Sequence, residues 1–241
     1  YYDDFTFDFG WTVSGGISTS DPGRWERGDP EGTSFQGVNY NPDNDINTDC
    51  FEYAYVTGLD AGGQVGSNDV DDFNTILTSP IFDLSQPLSP NQSYYLEYHS
   101  WFANGGGGWG GGSPADDSLT VSITNGNTTV LLESMTSNSP DLGQWNFRTV
   151  ELSQYIPLTA YMQLIIETAD WDALGGHWVE GGFDKFQISN VIPTINEQVL
   201  TTNKGDLIKV VDVLGREANI QSRVPLFYIY ENGVVEKKIV I

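Results

Sequence analysis

Ser118–Leu119–Thr120–Val121–Ser122–Ile123 is the stretch that decides the fold: a large apolar residue at every second position, a small hydroxyl residue between. A strand carries alternate side chains to opposite faces. This segment therefore sets Leu119, Val121 and Ile123 on a core and leaves Ser118, Thr120 and Ser122 half-exposed. Working outward, Tyr94 to Trp101 alternates bulky residues on both faces, as a strand inside a sandwich would. Val130–Leu132, Met162–Ile166 and Phe183–Ile188 supply further short apolar segments, with turn signals such as Asn125–Gly126–Asn127 between them. Many short strands joined by Gly-, Asn-, Asp- and Pro-rich loops predict an all-β chain, a jelly-roll β-sandwich. Gly105–Gly108, Trp109 and Gly110–Gly112 read as loop, because ordering so many glycines in a strand costs too much backbone entropy.

The charge divides the chain. Residues 1–190 hold 27 acids against four bases (Arg24, Arg27, Arg148, Lys185), whereas residues 191–241 hold six of each. All seven tryptophans also precede residue 190, so a jelly-roll domain over 1–190 and a small β-sandwich-like domain over 191–241 are expected. A net charge of −23 repels nucleic acid and anionic membrane, which argues against both as partners. No apolar run approaches the roughly 20 residues of a membrane-spanning helix. With no leader ahead of Tyr1, a processed mature form or a fragment is the expectation. The single Cys50 has no partner for an internal disulfide and reads as a small core residue.

Asp69–Val70–Asp71–Asp72 packs three carboxylates into four residues, ahead of the apolar run Phe73–Leu77. Calcium takes six to eight oxygens, often from separate segments, and Asp69, Asp71 and Asp72 are the densest source. Asp184 shares strand parity with Phe186 and Ile188, which places a carboxylate on the core-bearing face, where it needs a partner or a metal. Glu180 lies just upstream, and Asp3, Asp4 and Asp8 would complete a cage if the ends of the domain are neighbours. The alternative is that these acids cap turns and face water. Trp109, on its glycine loop, and Trp25 are the candidate ligand-binding aromatics, since an indole face stacks on a sugar ring.

Catalytic signatures are missing: no His-Glu-x-x-His, no Gly-x-Ser-x-Gly, no phosphate loop. His99 and His177 stand alone, His99 as a strand residue. Glu97 and Glu180 are a conceivable glycosidase pair, a criterion that 33 acids make undemanding. The expectation is a protein that is not an enzyme.

Two resemblances add to this. Asp4–Phe5, Gly10–Trp11–Thr12–Val13, Trp25–Glu26–Arg27–Gly28–Asp29–Pro30–Glu31–Gly32–Thr33, Val56–Thr57–Gly58, Asp69–Val70–Asp71, Leu77–Thr78–Ser79–Pro80 and Phe82–Asp83–Leu84–Ser85 occur in that order. Trp101–Phe102, Asp116–Asp117–Ser118–Leu119, Val179–Glu180 and Phe183–Asp184 complete the series. The ordered set resembles the choice-of-anchor J module of secreted Bacteroidetes proteins, which is similar to MAM domains. That resemblance implies a jelly roll used for binding or adhesion, often beside a catalytic domain. It also implies a cation site joining an early acid to acids of later strands. The chain departs from the pattern at Thr6, which stands where the early Glu would be.

The second resemblance covers about residues 207–241. Lys209–Val210–Val211–Asp212–Val213–Leu214–Gly215–Arg216–Glu217, Pro225–Leu226–Phe227–Tyr228–Ile229–Tyr230 and Gly233–Val234–Val235–Glu236–Lys237–Lys238–Ile239–Val240–Ile241 look like a type A sorting signal of the type IX secretion system. Residue by residue, Leu207–Val213, Leu226–Tyr230 and Val234–Ile241 read as strands, with Glu231–Asn232–Gly233 as a hairpin turn. The segment is shorter than many sorting domains and lacks their Pro-Asn-Pro strand. The resemblance implies that Asp212, Gly215, Arg216, Tyr228, Gly233, Glu236, Lys237 and Lys238 carry the signal and that the secretion machinery is a partner. The combined expectation is a secreted, extracellular or surface-held module, stabilised by calcium, that binds a glycan or a protein. An accessory domain of a larger secreted hydrolase and a self-assembling subunit are the alternatives.

Overall fold

Alternating side chains and antiparallel pairing build two sheets that enclose one apolar layer. The computed structural model describes residues 1–16, 18, 20–46, 51–59, 65–90, 92–106, 116–140, 142–171, 177–191, 207–212, 216–218, 225–230 and 235–239. The chain divides into two compact units, Tyr1–Pro193 and Thr194–Ile241.

In the first unit β1 (Tyr2–Asp3), β2 (Thr12–Gly15), β3 (Trp25–Gly28) and a small β4–β5 hairpin (Thr33–Phe35, Val38–Asn41) come first. They are followed by β6 (Ala54–Thr57), β7 (Phe73–Thr78), β8 (Tyr95–Gly106), β9 (Ser118–Thr124) and β10 (Thr129–Thr136). The unit closes with β11 (Asn146–Glu151), β12 (Gln163–Asp170) and β13 (His177–Ser189). One sheet runs β11-β8-β13-β6-β3, with β1 added to β13; the other runs β10-β9-β12-β7-β2. The strand pairs are antiparallel, which makes this a β-sandwich of jelly-roll type.

The decisive stretch is β9, and its burial alternates as the residues demand: Leu119, Val121 and Ile123 are fully buried. Leu164 and Ile166 of β12 and Phe73 and Leu77 of β7 extend this layer on the same sheet. Leu96, Tyr98 and Phe102 of β8, with Val179, Phe183, Phe186 and Ile188 of β13, meet it from the opposite sheet. No helix among the described residues is long and apolar enough to cross a membrane.

Two strand readings change. Gly105 and Gly106 belong to β8, where they pair with Trp178 and His177 of β13. The cross-strand ladder and the Tyr40 ring, which would lie 2.7 Å from a Cβ on Gly105, hold a backbone that composition alone would leave loose. In addition, β13 carries a bulge between Asp184 and Gln187, where Lys185 takes a φ of 50°. The extra residue reverses the alternation. Phe183 and Phe186 therefore both enter the core, and Asp184 turns to the outer face of the sheet.

The second unit contains a three-stranded antiparallel sheet of β14 (Leu207–Val211), β15 (Pro225–Tyr230) and β16 (Val235–Ile239), in that order. Leu226, Tyr228 and Val211 are its buried apolar side chains.

Candidate functional site

The acids gather at one end of the sandwich. There β7 and β9 begin, β12 ends and β13 begins, so each sheet contributes side chains from its last rung. Phe73 pairs with Asp170 and Leu119 with Thr168 on one sheet, and Gly106 with His177 on the other. The Val70 amide donates to the Val179 carbonyl at 3.0 Å, which fastens the Asp69–Asp72 segment against β13.

Asp69 and Glu180 are 3% and 1% exposed. Burial and then the Asp71 charge push the Asp69 carboxyl up to about 7. Burial and then the Asp69 charge push Glu180 up to about 8. Asp170, fully buried, adds its charge to Asp69. One oxygen of Glu180, Oε2, has no hydrogen-bond partner among the described residues. Buried carboxylates that repel one another stay together only if they hold protons or a cation.

The expected metal set does not close into a cluster: among the described residues the ligand atoms that lie within 4.8 Å of one another belong to Asp116, Asp117 and His177. Asp69 feels the charges of Asp71 and Asp170, and Glu180 feels that of Asp69. Asp72 is exposed with a φ of 59°, a turn residue beside them. Asp184 does not join: it lies four residues beyond Glu180 on β13, about 13 Å along the strand. Its carboxylate is fully buried on the outer face, accepting the amides of Ile46 at 3.3 Å and Lys185 at 2.6 Å. The parity argument for Asp184 fails because of the bulge.

The N-terminal acids do not complete a cage either. Asp3 is buried against the Phe5 amide and the Trp11 indole N–H, while Asp4 and Asp8 accept the amides of Thr6 and Gly10 as turn caps. β1 nevertheless lies alongside β13, with Asp3 opposite Phe186. Glu97 and Glu180 are not an acid pair. Glu180 stands opposite Ala103, six residues from Glu97 on β8, or about 20 Å, against the 5–10 Å such chemistry needs.

Sequence reasoning missed the rest of this end. Asp170 continues the buried parity of Leu164, Ile166 and Thr168, and it accepts the His177 amide at 2.8 Å. His177 Nδ1 lies 2.6 Å from Asp117 Oδ2. Asp116, Asp117 and His177 have ligand atoms within 4.8 Å of one another. The available signal was the Asp116–Asp117 pair immediately ahead of the decisive strand, and an acid on core parity at the close of β12.

The outer face of the six-stranded sheet carries aromatics that the core does not use. Trp101, Ala54, Val56 and Ala103 form a second buried cluster, with Tyr40, Leu59 and Trp145 packed against it. The Trp178 ring meets Tyr40 edge-on at 5.3 Å and Phe35 at 5.0 Å. Phe35 is 46% exposed. The Tyr40 hydroxyl is raised by burial and then by the Glu180 charge, so the aromatic row and the buried carboxylate share a neighbourhood.

Trp25 offers no face to a ligand: it is 2% exposed, and its indole N–H donates to the Thr75 carbonyl at 3.2 Å. Its apolar area completes the core, which corrects its assignment as a binding residue. Trp109, Cys50, Gly215 and Gly233 lie outside the described residues. In the second unit Asp212 accepts the amide of Arg216 at 3.0 Å and its guanidinium at 2.7 Å. Tyr228 is buried on β15, and Glu236, Lys237 and Lys238 lie on β16.

No family model and no curated protein match the chain. Several solved structures are similar in outline. One is a carbohydrate-binding module of the β-sandwich superfamily, studied for promiscuous specificity (12% identity, TM-score 0.40, covering 75% of this chain and 57% of that one). Another is the K3 cleaved adhesin domain of Lys-gingipain from Porphyromonas gingivalis w83 (10%, 0.33, 70% and 91%). A third is SGBP-B from a xyloglucan utilization locus of Bacteroides uniformis (10%, 0.35, 70% and 46%). The chain thus spans just over half of the first and under half of the third.

Proposed function

We propose that residues 1–190 form a non-catalytic, extracellular glycan-binding module stabilised by calcium, and that residues 191–241 are its type IX export signal. The observation that carries the binding reading is the aromatic row Phe35–Trp178–Tyr40 on the outer face of the sheet. Sugar C–H faces pack on such rings. The calcium reading is supported by Asp69 and Glu180, buried carboxyls close enough for one charge to act on the other, and by the Glu180 Oε2 that has no partner among the described residues. The export reading is supported by the sequence resemblance and by the Asp212–Arg216 clasp.

Affinity electrophoresis against a panel of soluble polysaccharides tests the binding. Retarded migration with at least one glycan, lost in Trp178→Ala and in Phe35→Ala, is expected. Unretarded migration with every glycan overturns the reading. Fusing residues 191–241 to a passenger protein in a bacterium with a type IX system tests export; a passenger retained in the periplasm overturns it.

A further inference from the structure

A polar cluster plugs the core at the end of the sandwich, and the calcium reading does not use it. His177 is 1% exposed, and its Nδ1 lies 2.6 Å from the Asp117 carboxylate. The Asp116 carboxylate, exposed on its outer side, lies within 4.8 Å of both. The backbone amide of His177 is fixed by Asp170, which sets the position of the ring. A separate observation points to a ligand. Asn104, 6% exposed on β8, donates its side-chain N–H to the Asp117 carbonyl at 3.2 Å and leaves its Oδ1 without a partner among the described residues. A buried amide oxygen left without a hydrogen bond is costly, and this one belongs to a side chain already held by the Asp117 backbone.

From this geometry we infer a second cation site, built from His177 Nδ1, the carboxylates of Asp116 and Asp117 and Asn104 Oδ1, that takes a first-row transition-metal dication such as zinc. The donor set decides the class of ion. One imidazole with two carboxylates suits zinc and its neighbours, whereas calcium takes oxygen alone. Binding requires His177 Nδ1 to present its lone pair. A proton on that nitrogen must leave to solvent or move to Nε2 as the metal enters, and the hydrogen bond to Asp117 is exchanged for a shared ion. Asp170, holding the His177 backbone, acts as a positioning residue.

Calcium-loaded, untagged full-length protein titrated with Co²⁺ and then Zn²⁺ tests the site. A saturable visible absorption of tetrahedral or five-coordinate cobalt, one ion per chain and displaced by zinc, is the expected result. Asp116→Asn, which alters only an exposed carboxylate, should weaken cobalt binding by about tenfold or more while circular dichroism stays unchanged. His177→Gln should abolish the absorption. Glu180→Gln should remove calcium stabilisation and leave the cobalt spectrum in place, so the two cation readings fail separately. No saturable cobalt absorption, or an absorption unchanged in Asp116→Asn, overturns the inference even if His177→Gln proves unable to fold.

Discussion

The indole of Trp101 lies across the backbone of Gly182 on the neighbouring strand, so closely that a Cβ on Gly182 would overlap the indole nitrogen. Trp101 and Gly182 are direct cross-strand partners, and Trp101 is fully buried in the outer-face cluster. Gly182→Ala must therefore push a large ring out of a packed layer. We expect a loss of about 1–3 kcal/mol in chemical denaturation, with an unchanged denaturant slope. A variant as stable as the parent would mean that the ring has room to move.

Asp69 and Glu180 give the metal-free protein an unusual pH dependence. Both have folded-state values raised, to about 7 and about 8, so the folded state holds their protons more tightly than the unfolded chain does. Their contribution is fully present below about pH 4 and is lost as pH rises through 7 and 8. In EDTA the melting temperature should fall between pH 5 and 9. Calcium should raise it most at the alkaline end, where the carboxylates are charged. Equal melting curves with calcium and with EDTA at pH 8 would remove calcium from these residues.

Asp72 separates a turn role from a ligand role. Its φ of 59° is the left-handed conformation that glycine adopts without strain. Asp72→Gly should leave the protein as stable or raise its stability by up to about 1 kcal/mol, and should keep the calcium-dependent shift in melting temperature. Asp69→Asn should abolish that shift. Loss of the shift in Asp72→Gly would return this residue to the metal set.

What could be read from the residues, and what could not, follows from range. The β9 alternation is local, since Leu119, Val121 and Ile123 need only one buried face to declare a strand, and the sandwich follows from it. The cluster of acids ahead of Phe73 was also legible, because three carboxylates in four residues must be hydrated, paired or bound. Asp184 was misread because one positive φ at Lys185 inverts the parity of the residues beyond it, and a lysine gives no warning of that conformation. Trp25 was misread because a tryptophan in a polar segment looks the same whether it faces a ligand or fills a core. His177 and Asp170 stayed hidden for a different reason. They meet Asp117 and Asp69 only through pairings 60 and about 100 residues long, which no spacing in the sequence records.

His99 sets the acid limit. It sits on β8 facing outward, its ring 5.3 Å from Phe147 and its Nδ1 without a partner among the described residues. Burial first, and then the Lys185 charge, lower it from 6.5 to about 4. The folded protein thus keeps the ring neutral at pH values where the unfolded chain protonates it. The sign is opposite to that of Asp69 and Glu180: stability is full above pH 6.5 and is lost as pH falls toward 4, with no further loss from this residue below that. A shift of this size corresponds to about 3 kcal/mol at most. Measured in saturating calcium, His99→Gln should flatten the stability profile between pH 6.5 and 4 relative to the parent. Proton resonances of His99 should report neutral imidazole down to about pH 4. A titration midpoint near 6.5 in the folded protein would show that the ring reaches solvent, and the acid limb would then belong to other groups.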